Sequence, residues 1–112
     1  MSAQVVHFEI IGQDGAKLQS FYNQLFGWQI KADNPWNYGL VDASESGIGG
    51  GIGPGESTGA TFYVEVPDLE ATLAQVEQMG GKTVVPPTEI PDMVTFATFV
   101  DPEGNRIGLV KA

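Results

Sequence analysis

The chain has one histidine, His7, in the stretch VVHFE. Val6 and Phe8 flank it, and Glu9 follows two places on. Residues 4 to 11, QVVHFEII, alternate like a strand with two faces. One face carries Val5, His7, Glu9 and Ile11; the other carries Val6, Phe8 and Ile10. An imidazole and a carboxylate two residues apart on one strand face lie at a repeat of about 6.6 Å. Such a pair can move protons without a metal, can contribute to a metal site, or can be two hydrogen-bonded polar groups at the edge of a core. Val6 and Phe8 belong to the side that a helix covers, so the His7 ring is expected to face a cleft. Beside Glu9 it is expected to keep its charge more readily than an ordinary histidine, with a raised pKa.

Those residues need a scaffold. At 112 residues the chain has the length of one domain, and 42% hydrophobic residues suffice for a core. Without cysteine there is no disulfide, thiolate metal site or cysteine nucleophile. Fourteen acidic against five basic residues, a net charge of -9, repel phosphate backbones, so nucleic acid is not an expected partner. No apolar run is long enough to span a bilayer, and MSAQVVHFEI has neither the basic start nor the apolar stretch of a signal peptide, so a cytoplasmic location is expected and no membrane partner.

After the first strand, Asp14 reads as an N-cap and Gly27 as a C-terminal stop. Leu18, Phe21, Tyr22, Leu25 and Phe26 form an apolar stripe at helical spacing between them. The same arrangement returns 54 residues later without a gap. ATFYVEV alternates as a strand, Asp68 caps a helix with Leu69, Leu73, Val76 and Met79 on its apolar side, and Gly80-Gly81 ends it. Phe8 answers Phe62, Ile10 answers Val64, and His7 falls opposite Thr61. Three extended segments complete each unit: WQIKAD, NYGLVD and GIGGGIG in the first, KTVVPP, MVTFATFV and RIGLVKA in the second. The expected fold is therefore α+β: two pseudo-symmetric βαβββ units, about 1–53 and 60–112, joined by the linker 54–59. They are expected to build a concave, partly open mixed sheet with the helices on its outer face. His7, Glu9, Thr61, Tyr63 and Glu65 then share the concave face, where polar groups need partners and a ligand site is expected.

The paired units, FYNQLFGW closing the first helix, and DPEGNRIGLV near the C-terminus resemble the vicinal oxygen chelate superfamily, which includes glyoxalase I, extradiol dioxygenases and the bleomycin-resistance proteins. The resemblance covers nearly the whole chain and speaks for the fold more than for the chemistry. It implies, for metal-dependent members, four side chains around one divalent ion. Carried over, those positions fall on His7, Thr61, Gly108, and Gly50 or Gly51. One imidazole does not hold a transition metal, so no metal and no other cofactor is expected. It also implies a homodimer.

Other stretches admit a sharp and a bland reading. GIGGGIGPGESTG lacks the lysine of a phosphate-binding loop and no helix follows it; its glycines more simply leave room beside a ligand. Trp36, Tyr38 and Tyr63 can stack on a flat ligand, or simply pack. EIPDMV, bounded by proline, reads as a loop able to act as a lid, and Arg106 as an anion partner or an exposed hairpin residue. The expected function is binding of a small organic ligand in a metal-poor cleft, with possible sequestration, using Gly50, Gly108, Trp36, Tyr38, Thr61, Tyr63 and Glu65. The alternatives are a lyase, isomerase or epimerase using His7 and Glu9 as catalytic groups, with or without a divalent metal, and a protein-interaction module with a vestigial cleft.

Overall fold

The computed structural model describes residues 2–44 and 47–112. The chain divides into two compact units, one of His7–Thr61 and one of Phe62–Ala112 with the residues up to Val6. Ten elements alternate as anticipated: β1 (Gln4–Gly12), α1 (Gly15–Phe26), β2 (Ile30–Lys31), β3 (Gly39–Val41), β4 (Gly49–Pro54), then β5 (Gly59–Val66), α2 (Leu69–Gln78), β6 (Lys82–Ile90), β7 (Val94–Val100) and β8 (Arg106–Lys111). The class is α+β, and each half is a βαβββ unit with a mixed sheet. Among the described residues no helix is long and apolar enough to cross a membrane.

In the 7–61 unit the strands lie in the order β2, β3, β4, β1. β1 runs parallel to β4, with His7 beside Gly49, Phe8 beside Gly50, Glu9 beside Gly51 and Ile10 beside Ile52. β4 pairs antiparallel with β3, and β3 with β2. Asp14 caps α1, its carboxylate accepting from Lys17 N–H at 3.0 Å. Gly27 ends the helix in the left-handed region at φ 73°.

The inward side of α1 differs from the apolar stripe expected. Gly15 is buried, and a Cβ there would lie 2.7 Å from Pro54 N. Leu18 packs against Gly12, where a Cβ would stand 2.6 Å from Leu18 Cδ1. Gln19 donates to the Ile52 carbonyl at 2.7 Å and the Asn37 carbonyl at 3.0 Å. Positions 15, 18 and 19 therefore lie against the strands, spaced for one helical face. Phe21, Leu25 and Phe26, expected to cover the sheet, are 55%, 58% and 56% exposed. The reason is close approach: the start of the helix sits so near the end of β4 that glycine and a hydrogen-bonding glutamine fit where larger apolar side chains do not. The rings of Tyr22, Phe26 and Trp28 gather at its end, Tyr22 and Trp28 stacked at 5.9 Å and Phe26 tilted against Trp28 at 5.0 Å.

In the other unit the order is β5, β8, β7, β6. β5 is parallel to β8, with Tyr63 beside Gly108, and the remaining pairs are antiparallel. Asp68 caps α2 through Ala71 N–H at 3.0 Å. Here the apolar stripe behaves as expected in part. Leu69 and Leu73 join Val66, Ala97 and Leu109 in a buried cluster, while Met79 is 71% exposed. Burying each leucine is worth about 1.5–3 kcal/mol. β6 runs through Pro86 and Pro87, past the expected KTVVPP end. It lies at the end of this unit's strand order, and its register shifts between Thr83, Val85 and Thr88, so residues that cannot donate sit where the ladder is already broken. EIPDMV, expected as a loop, is strand ends and a turn. It forms the tight β6–β7 turn, closed by Met93 N–H donating to the Ile90 carbonyl at 3.0 Å, with Asp92 left-handed at φ 63°.

Candidate functional site

The 7–61 unit brings together three candidate residues. His7 and Glu9 lie on one face of β1, and Tyr38, just before β3, reaches both. The Tyr38 hydroxyl donates to Glu9 Oε2 at 2.8 Å and lies 2.9 Å from His7 Nε2. The His7 and Tyr38 rings are nearly parallel, 16° apart in plane, with centroids 6.2 Å apart. All three residues are half-buried.

A phenol has one proton, and Tyr38 gives it to Glu9. The Nε2–H tautomer of His7 completes both bonds by donating to the Tyr38 oxygen. The expected raised pKa of His7 is overturned. Burial, the larger influence, lowers it below 6.5, and the nearby Glu9 carboxylate raises it against that trend. Glu9 is a near neighbour in sequence, whereas the burial of His7 is a sum over residues distant in sequence.

What admits the Tyr38 ring is the glycine face of β4. Gly49, Gly51 and Gly53 share the side of His7, Glu9 and Ile11. A Cβ on Gly51 would collide with Cζ, Cε2 and the hydroxyl of Tyr38, and one on Gly53 would stand 3.0 Å from Tyr38 Cδ1. Gly50, the expected binding position, is on the opposite face: its register partner is Phe8, whose ring fills the space a Cβ would need. Alternation along a strand makes a one-residue difference decisive.

The second unit repeats the device. Gly108 is buried beside Tyr63, whose ring lies where a Cβ on Gly108 would be. Glu9 with Gly51 and Tyr63 with Gly108 are equivalent register pairs. Tyr63 is only 9% exposed. Trp36 is 52% exposed, Thr61 half-buried and Glu65 exposed. Arg106 sits on the β7–β8 hairpin, across from Val100.

Tyr38, expected among ligand-stacking aromatics, instead stands between His7 and Glu9. Gly51, expected only as a carried-over ligand position, is what admits the ring, and Gln19 carried no expectation beyond the helix. Glycine at every second position of a strand was a usable signal, since a face without side chains invites a ring from elsewhere.

The donor set does not fit a resident divalent ion. His7 Nε2 and Glu9 Oε2 are both directed at one phenol, and Gly51 and Gly108 carry tyrosine rings where the resemblance places ligands. Among the described residues no three His, Cys, Asp or Glu side chains converge as a metal would need.

A family model described as the Glyoxalase/Bleomycin resistance protein/Dioxygenase superfamily matches residues 4–109. A glyoxylase-like domain-containing protein of Didymella fabae is 33% identical, the match covering 94% of this chain and 91% of the relative. Among solved structures, a glyoxalase/bleomycin resistance protein/dioxygenase superfamily member from Vibrio splendidus 12B01 is similar with a TM-score of 0.68 at 17% identity, over 99% of this chain and all of that one. A Streptomyces coelicolor methylmalonyl-CoA epimerase is similar with a TM-score of 0.65 at 13% identity, over 100% of this chain and 96% of that one. At such identities these two likenesses speak for the fold.

Proposed function

The chain belongs to the glyoxalase/bleomycin resistance protein/dioxygenase superfamily, and from that premise we propose that it moves a proton on a small organic molecule through His7, Tyr38 and Glu9, without a resident metal. The observation that carries this is the Tyr38 hydroxyl set between His7 Nε2 and Glu9 Oε2 at 2.9 and 2.8 Å. Burial lowers the His7 pKa, so near neutral pH the ring is an uncharged base. Nδ1 takes a proton from an acidic C–H or O–H of the substrate. The imidazolium that forms is stabilised by Glu9, and its Nε2–H bond to Tyr38 strengthens as Tyr38 leans its own proton toward the carboxylate. Return of the proton from Nδ1 to the same or a neighbouring substrate atom completes an isomerisation or epimerisation; loss of a leaving group instead gives a lyase. A methylmalonyl-CoA epimerase shares the fold and the relative of Didymella fabae is glyoxylase-like, which makes this class of reaction the first to test.

The test is loss of the hydrogen next to a carbonyl in deuterated water, followed by proton NMR over a panel of small hydroxy-carbonyl and thioester compounds. Wild-type protein is expected to wash out that hydrogen in at least one compound. His7→Ala and Tyr38→Phe are each expected to slow the exchange by about 10²-fold or more. Exchange unchanged in both variants overturns the reading. Ligands that raise the melting temperature without any exchange point to sequestration, for which the half-exposed Trp36 beside this loop is the stacking surface.

A further inference from the structure

Tyr38 belongs to no strand; β3 begins one residue later. It lies at the end of the turn 34–38, in which the Asn34 side chain makes three hydrogen bonds. Asn34 Nδ2 donates to the Tyr38 carbonyl at 2.7 Å. Asn34 Oδ1 accepts from Tyr38 N–H at 3.0 Å and from Trp36 N–H at 3.2 Å. A single amide thus clamps both backbone polar groups of the residue that bridges His7 and Glu9. The turn is anchored at both sides. Asn34 N–H donates to the Ala32 carbonyl at 2.9 Å, and Asn37 N–H to the Asn34 carbonyl at 3.2 Å. Asn37 is left-handed at φ 56°, a region asparagine tolerates better than most residues, and its carbonyl receives Gln19 Nε2.

We propose that Asn34 is a positioning residue for the His7–Tyr38–Glu9 relay: by gripping the Tyr38 backbone it sets the phenol oxygen between its two partners. A phenol hydroxyl sits at the far end of a rigid ring, so a small rotation of the backbone moves it enough to lose two hydrogen bonds whose useful range is a few tenths of an ångström. Alanine at 34 removes all three contacts. Aspartate keeps the acceptor for the two amides and loses the donor to the Tyr38 carbonyl. The proposal rests on the relay reading for its meaning, but its test does not need turnover.

The readout is the NMR titration of His7, free of overlap because no other histidine exists. Tyr38→Phe sets the reference: with the acceptor for Nε2–H gone, the His7 midpoint is expected to fall and its ring resonances to move. Asn34→Ala is expected to reproduce at least half of both changes, and Asn34→Asp a smaller part. Leu73→Ala, a destabilising change in the other unit, is expected to leave the titration as in the wild type, which separates positioning from general loss of stability. A folded Asn34→Ala protein whose titration overlays the wild type overturns the proposal. If Asn34→Ala does not fold, Asn34→Asp decides on the same criterion. Absence of hydrogen exchange in every compound sinks the relay as a catalyst and leaves this result standing, so the two failures are distinguishable.

Discussion

Gly51 has no side chain, and the ring of Tyr38 lies across the space its Cβ would take. Gly51→Ala must push that ring away, because the strand backbone beneath cannot retreat. The expected cost is about 1–3 kcal/mol, as for other overpacked sites, read by urea denaturation. The His7 titration is expected to change with it, as in Tyr38→Phe. A Gly51→Ala protein with wild-type stability contradicts the packing described. His7 itself makes stability depend on pH. Its folded pKa lies below the ordinary 6.5, so between those two values the unfolded chain binds the proton and the folded one does not. Stability from this group is fully present above pH 6.5 and is lost as pH falls from there toward the folded pKa. His7→Gln removes the titration, and the stability of that variant is expected to decline less over this window than that of the wild type. An equal decline in both would place the pH dependence elsewhere.

The two helices look alike in sequence and differ in how they use their apolar residues. Leu73 is 6% exposed in the cluster under α2, whereas Leu25 on α1 is 58% exposed. Leu73→Ala is expected to cost about 2–5 kcal/mol and Leu25→Ala no more than about 0.5 kcal/mol, measured by thermal or urea unfolding. Comparable losses would mean that α1 buries its outer flank after all. β4 offers a second check at this scale. Its amides, Gly49 to Gly53, lie between β1 and β3 in the unit, so hydrogen exchange is expected to be slow there and fast across Glu56–Thr58. Uniformly fast exchange over both segments would remove the glycine face on which Tyr38 rests.

Two properties belong to the whole chain. A net charge of -9 on 112 residues repels itself, and salt screens it over about 10 Å at 0.1 M. The melting temperature is expected to rise between low and physiological ionic strength; a fall would show that attractive pairs, such as Lys31 with Asp42 at 3.6 Å, outweigh the repulsion. The donor set described above also predicts that zinc, manganese or nickel at micromolar concentration leaves the melting temperature unchanged. A tight site filled at a hundred times its dissociation constant would add about 2.7 kcal/mol. A metal-dependent rise abolished by His7→Ala would reverse the assignment of the site.

The two βαβββ units were legible in the chain because their signals are local. Period-two alternation, Asp14 and Asp68 as caps, and Gly27 and Gly81 as stops act within a few residues, and a lag of 54 repeats them. His7 and Glu9 on one face followed from the same alternation. Tertiary structure decided what lies against those residues. Nothing near residue 38 says that its ring crosses to β1, and that β4 opens its face by glycine at 51 and 53 becomes meaningful only once β1 and β4 are known to be neighbours in this register. Burial is likewise a sum over neighbours distant in sequence. That is why the direction of the His7 pKa, the exposed flank of α1 and the opposite face taken by Gly50 were settled by packing and not by pattern.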